Sequence, residues 1–175
     1  MSRFKNFLGT FILCYVCWML FTIPSTFDNE ELLMGALVSI IIALFCTPFF
    51  SKVNGLWLFI PKHLIALIEF IPVYTVELFK ANWDVAKRAL SPKIKVNPGI
   101  VKIQTDIKSD YGLSLLSNCI TLTPGTITMD IAEEEGRNYM YIHWIDVSTQ
   151  DINKASDAIA GAFEPWVRRI FEDER

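Results

Sequence analysis

The front half of this chain is too apolar for an ordinary water-soluble fold. Residues 4–80 are mostly Phe, Leu, Ile, Val, Ala and Cys, and only from about residue 92 does the sequence turn polar and take on strand and helix patterns. The chain has 175 residues, enough for one membrane unit and one small domain. A hydrophobic fraction of 52% is high for a water-soluble chain of this length, and the apolar residues are gathered at one end. The pattern therefore places the protein at a bilayer with a folded domain beside it.

Two runs, 7–23 and 32–50, carry no charge. Each is about 17 to 19 residues, near the lower limit for a helix crossing a hydrocarbon core of roughly 30 Å. The first ends at Pro24-Ser25, ahead of Asp28, Glu30 and Glu31; the second ends near Pro48, with Lys52 behind it. They form a helical hairpin with a short acidic loop. Arg3 and Lys5 before the first run resemble the start of a secretory signal. The second run follows at once and no small-x-small cleavage site is evident, so an uncleaved membrane helix is expected.

A third run, 56–90, is apolar overall but carries Lys62, Glu69, Glu77, Lys80, Asp84 and Lys87. At about 100° per residue these six fall in one narrow sector of a helix. Ile60, Leu64, Leu67, Ile68, Ile71 and Leu78 lie largely outside it. A long amphipathic helix results, with a bend expected at Pro72. Two arrangements fit: a third span whose polar stripe faces another subunit, or a helix partly embedded in the membrane interface. The loop between the first two runs holds no Lys or Arg, whereas the N-terminus, Lys52, Lys62 and residues 80–95 do. Two spans would put all of that positive charge on the cytoplasmic side; three would separate the N-terminus from the final domain. Glu69, with Lys62 and Glu77 one to two turns away on the same face, is a candidate for an ion path or for an interface with a partner.

In the polar half, Asn97-Pro98-Gly99 marks a turn. Residues 100–105 read as a strand. Ser109 and Asp110 are suitable N-caps for a helix carrying Leu113, Leu116 and Ile120. Pro124-Gly125 ends that helix in a turn with positive φ at the glycine. Residues 126–131 alternate, with Ile127, Met129 and Ile131 expected on one face. An acidic loop, 133–136, leads to a partner strand over 139–147. Ser148 is expected to cap a single closing helix with an apolar face from Ile152 to Ile170, kinked or divided by Pro165. The fold class is a membrane α-helical N-terminal half of two or three helices, 1–90, plus a small cytoplasmic α+β domain of order β-α-β-β-α, 91–175.

Several functions lack their signatures. A net charge of -3 without a basic run in the polar half argues against nucleic acid. Cys14 and Cys17 have Cys-x-x-Cys spacing, but no His or second pair accompanies them, so no metal is expected. No phosphate loop, dinucleotide fingerprint or nucleophile elbow is present, and no cofactor is called for. His143 and Asp146 sit three apart on a strand, on opposite faces, a poor acid–base pair. A small membrane-anchored enzyme thus lacks its catalytic constellation.

Three segments, in this order after apolar helices, carry a resemblance. They are Asn82-Trp83-Asp84-Val85-Ala86 running to Leu90-Ser91-Pro92-Lys93, then the segment from Leu115 through Leu122-Thr123-Pro124-Gly125-Thr126, then Tyr141-Ile142-His143-Trp144-Ile145-Asp146-Val147. The chain resembles the MnhE-like subunit of multisubunit Na+/H+ (cation/proton) antiporters of the Mrp type over its whole length. The resemblance implies an accessory, non-catalytic subunit needed for assembly and coupling. It also implies a multi-pass place in the prokaryotic cytoplasmic (inner) membrane, a cytoplasmic C-terminal domain, and other antiporter-type membrane subunits and the lipid bilayer as partners. Related subunits occur in redox-driven complexes such as membrane-bound hydrogenases and sulfur reductases, and the residues do not choose between those parents. Leu122, Thr123, Pro124, Gly125, Thr126, His143, Trp144 and Asp146 are the motif residues so implied.

Overall fold

The computed structural model describes residues 2–23, 28–47, 60–93 and 96–172. The expected breaks at Pro24-Ser25 and Pro48, and Lys52, lie outside them. By its contacts the chain divides into two compact units, 1–61 and 62–175.

The first unit is a pair of helices, α1 (Ser2–Phe21) and α2 (Asn29–Cys46), packed side by side. Both are long and apolar enough to cross a membrane. Asp28, Glu30 and Glu31 are not loop residues as expected: Asp28 is the N-cap of α2 and the two glutamates sit in its first turn. Carboxylates there face the positive end of the helix dipole, which lets the helix begin earlier than its apolar run. The buried side of α2 is a stripe of small residues, Gly35, Ser39 and Ala43, spaced four apart. A Cβ on Gly35 would stand 2.5 Å from Trp18 Cδ1, so the indole rests directly on the α2 backbone. Small residues at helix contacts are what lipid favours, because close backbone approach replaces the missing hydrophobic drive. The hydroxyls of Thr10, Thr22 and Thr47 each donate to the carbonyl four residues back, which satisfies them without water.

The second unit opens with α3 (Pro61–Ala89), which runs unbroken through Pro72. A three-stranded antiparallel sheet follows, in the order β1 (Gly99–Thr105), β3 (Arg137–Trp144), β2 (Thr126–Glu134). Helix α4 (Asp110–Leu122) joins β1 to β2, and α5 (Ile152–Ile159) and α6 (Glu164–Phe171) close the chain. This is an α+β region, but the closing helix is two helices rather than one. Residues 160–163 form a turn, and Pro165 stands at the start of α6, where its missing N–H and fixed φ are suited to a first turn. Asp151, not Ser148, caps α5, accepting from Lys154 N at 3.0 Å.

Ser109 caps α4 as expected, accepting from Gly112 N. The β2–β3 hairpin turns on two residues, Glu135 and Gly136, both with positive φ, the backbone of a tight hairpin matched to strand twist. Glu133 and Glu134 accordingly belong to β2 rather than to a loop. A bulge between Thr128 and Asp130 shifts the register. Ile127 pairs with His143 while Ile131 pairs with Met140, so the two isoleucines do not share a face as the simple alternation suggested. The core lies against one face of the sheet: Val101 and Ile103 from β1, Met140 and Ile142 from β3, Leu116 and Ile120 from α4, and Val167 and Ile170 from α6 are all buried. Burial pushes the Cys119 thiol, on α4, up to about 11, so it packs as a small hydrophobe.

Candidate functional site

Helix α3 and the α+β region meet along a seam that brings together much of the sequence singled out above. At its first end, Arg169 Nη1 on α6 lies 2.6 Å from Glu69 Oε2. Next along α3, Phe70 meets Phe163 edge-on with centroids 6.5 Å apart, and Tyr74 lies 6.0 Å from the same ring. At the far end Arg88 bridges two carboxylates, Asp84 on its own helix at 2.8 Å and Asp146 at 2.6 Å. A planar guanidinium is suited to that double role.

Between these fastenings lies a groove of about 200 Å³ lined by Glu77, Asp84, Arg88, Pro124, Trp144 and Asp146, among others. The Thr-Pro-Gly-Thr turn forms one wall, and its hydroxyls are used internally. Thr123 Oγ1 and Thr126 Oγ1 both donate to Ile120 O, at 2.7 and 2.8 Å. Gly125 has φ +99, and its carbonyl accepts from Ile145 N at 2.8 Å. A Cβ there would meet Ile145 Cγ2 at 2.9 Å, so backbone geometry and space both demand glycine. The turn thus joins the end of α4 to the end of β3 and sets both against α3.

The residues expected from sequence fall into three groups. Thr123, Pro124, Gly125, Thr126, Trp144 and Asp146 converge on the groove, with Asp84 from the first motif segment opposite them. Glu77 lines the groove and pairs with Lys80 at 2.6 Å, Glu69 pairs with Arg169, and Lys62 is exposed. His143 is not brought to the seam; it sits half-buried in a row across the sheet between Ile100 and Ile127, and Leu122 is exposed. Sequence reasoning missed Arg88 and Arg169. Arg88 had a local signal, its position four residues after Asp84; Arg169 had none, because its partner lies 100 positions away (169 − 69).

Elsewhere, Lys102 lies 4.0 Å over the Tyr139 ring and reaches Glu134, which also accepts from the Tyr141 hydroxyl at 3.0 Å. The hydrogen bonds from Lys102 and Tyr141 hold the Glu134 carboxyl below its ordinary range. Among the described residues, no group of three or more His, Cys, Asp or Glu side chains is placed to hold a metal ion. Chemically the seam is a fastening: carboxylates, guanidinium groups and hydroxyls are largely taken up by one another.

The sequence matches the family described as Na+/H+ ion antiporter subunit over residues 11–170. It is 38% identical over 164 residues to the E1 subunit of the Na(+)/H(+) antiporter of Staphylococcus haemolyticus (strain JCSC1435), covering 93% of this chain and 95% of that one. It is 33% identical over 154 residues to the E subunit of the Na(+)/H(+) antiporter of Bacillus subtilis (strain 168), covering 88% and 90%. Among solved structures, a chain of the membrane-bound sulfane sulfur reductase, an archaeal respiratory membrane complex, is similar with a TM-score of 0.80 and 41% identity, over 98% of this chain and all of that one. The motif segments that line the seam lie within the matched region, and the chain belongs to the family of Na+/H+ ion antiporter subunits, alongside the E and E1 subunits just described.

Proposed function

We propose that this chain is an accessory, non-catalytic membrane subunit of a multisubunit monovalent cation/proton antiporter complex, required for assembly and coupling. One observation carries the reading: along nearly its whole length the chain is similar to the E and E1 subunits of such antiporters, and the motif residues within that similarity fasten α3 to the α+β region. Helices α1 and α2 hold the chain in a prokaryotic cytoplasmic membrane, with residues 1–90 as the membrane-associated part and 91–175 as a domain in the cytoplasm. The sidedness follows from the lysines and arginines flanking the apolar runs. Glu69 and Glu77 serve to fasten and order α3 within the chain rather than to line an ion path, in keeping with the pairing of Glu69 to Arg169 and of Glu77 to Lys80. Deleting the gene and assaying sodium- or pH-driven antiport in membrane vesicles tests the proposal. Lost antiport with an incomplete complex on native gels is expected; unchanged antiport with all other subunits assembled refutes it.

A second reading has its own observation. The similarity to a chain of the sulfur reductase complex is 41% identical and spans the chain. The same subunit type would then serve the antiporter-like module of a redox-driven ion pump. Mass spectrometry of the native complex decides: iron–sulfur or nickel–iron proteins that co-purify favour this parent, and their absence favours the stand-alone antiporter.

A further inference from the structure

We infer that α3 does not cross the bilayer but lies along its cytoplasmic surface with one face in the lipid, so that the chain crosses the membrane twice. The inference rests on the membrane placement proposed above and specifies how the third apolar run is used.

The first argument is the fastening of the α+β region. Its contacts with α3 include Glu69, held by Arg169, continue through Phe70 and Tyr74 against Phe163, and reach Arg88, held to Asp146. Glu69 is only eight residues past the start of α3 at Pro61 (69 − 61), about 12 Å of helical rise. A crossing needs about 20 residues. A transmembrane α3 would therefore draw α6 into the hydrocarbon with it. Arg168 and Arg169 on that helix are half-exposed, and charged groups in that state are not tolerated at membrane depth.

The second argument is the face of α3 turned away from the domain. Leu64, Ile65, Ile68, Ile71, Phe79 and Trp83 are all exposed, Phe79 to 71%. They occupy one sector of about 120° running the length of the helix. Thr75 and Asn82 share that sector, and both bond back to their own helix, Thr75 Oγ1 to Ile71 O at 2.8 Å and Asn82 Nδ2 to Leu78 O at 2.7 Å. Such back-bonding to the helix lowers the cost of placing these groups against hydrocarbon. At the border of the sector Lys87 lies 5.5 Å over the Trp83 ring, an aromatic–cation pair suited to the headgroup region. Lys62 and Lys80 lie along the same border, where their ammonium groups reach the phosphates while the apolar residues enter the acyl region. Finally, the helix begins 14 residues after α2 ends (61 − 46 − 1), which tethers it near the bilayer.

The test uses the full chain in its native complex, reconstituted into liposomes, with the four native cysteines replaced by alanine. Spin labels are placed singly at Ile65→Cys, Ile68→Cys and Phe79→Cys, with a control at Ile41→Cys on α2. Accessibility to oxygen and to a water-soluble nickel chelate is measured. High oxygen and low chelate access at similar shallow depths for all three α3 labels is the expected result. Depth that changes steadily from 65 to 79, by about 1.5 Å per residue, means a crossing helix and overturns the inference. Exclusion of both reagents means another subunit covers the face, and high chelate access means water does; either overturns it. A control label at Ile41 without oxygen preference indicts the membrane reading itself instead. Should the cysteine-free complex fail to assemble, a photoreactive residue at positions 68 and 79 of the otherwise unchanged chain decides the matter in native membranes. Lipid adducts are expected, and a cross-linked subunit overturns the proposal.

Discussion

Helices α2 and α3 are both long and rich in Leu, Ile, Val and Phe, yet they are held in opposite ways. Helix α2 has no charge after its first turn and buries only Gly35, Ser39 and Ala43. Its large side chains, Leu33, Leu37, Leu44 and Phe45 among them, point outward. Helix α3 is sorted into sectors: His63, Ala66 and Phe70 are buried, charged groups form ion pairs along an edge, and a broad apolar face is left open. When lipid surrounds a helix, apolar burial gains nothing, so contact is made by small residues and close backbone approach. When a helix lies between water and something else, large side chains pack inward as in a soluble core. Hydropathy alone reads both helices as apolar; what separates them is which residue sizes are buried.

The largest expected effect breaks the second kind of contact and leaves the first. Phe163 is 4% exposed and supports both Phe70 and Tyr74. Phe163→Ala should cost about 3–5 kcal/mol, seen as a domain sensitive to limited protease while the chain still inserts. If insertion failed as well, the two helical regions would not be independent. The reverse experiment is Gly35→Ala, whose added Cβ would stand 2.5 Å from Trp18 Cδ1. A cost of about 1–3 kcal/mol is expected, with the subunit lost from the complex on native gels and the domain still protease-resistant. Trp18→Ala in the same chain should restore retention, because it empties the space that the new methyl group needs; persistent loss would mean the seam is not set by that contact. Somewhat smaller is Gly125→Ala, at about 1–2 kcal/mol for a φ of +99 alone. A melting temperature of the purified complex that does not fall would show that the turn relaxes freely.

Much of this was legible in the order of residues, and the failures are specific. The two charge-free runs, Ser109 as a cap and the glycine turn at Gly125 are local features, set by residues within a few positions of one another. The bulge at Thr128/Asp130 was invisible because alternation predicts faces only while the register holds. The place of the division, at residues 160–163, was masked by an apolar period that continues across the break; Pro165, expected to kink the helix or set off its final turn, stands at the start of a separate helix. At the candidate site the motif segments were found, but their convergence was not, since Asp84, Thr126 and Asp146 meet only through tertiary folding. The polar stripe of α3 was expected to face a partner or the interface, and it was the folded chain that supplied Arg169 for Glu69.

That pair gives the smallest effect and the sharpest question. Both side chains are close to half-exposed, Glu69 at 46% and Arg169 at 45%, so solvent screens their attraction and side-chain ordering opposes it. A double-mutant cycle with Glu69→Ala and Arg169→Ala should give a coupling of about 0.2–1 kcal/mol, read from the melting temperature of the solubilised complex. It should shrink as salt is raised, since the Debye length falls from about 10 Å at 0.1 M to about 3 Å at 1 M. Insertion should be unchanged in either single mutant if α3 lies on the membrane surface as inferred above, while assembly bears whatever loss there is. A coupling well above that range and indifferent to salt would mean that another subunit covers the pair in the complex. Glu69 would then belong to an interface between subunits, and the contrast between an α2 held by small residues and an α3 held by large side chains and ion pairs would have to be redrawn at that end of the helix.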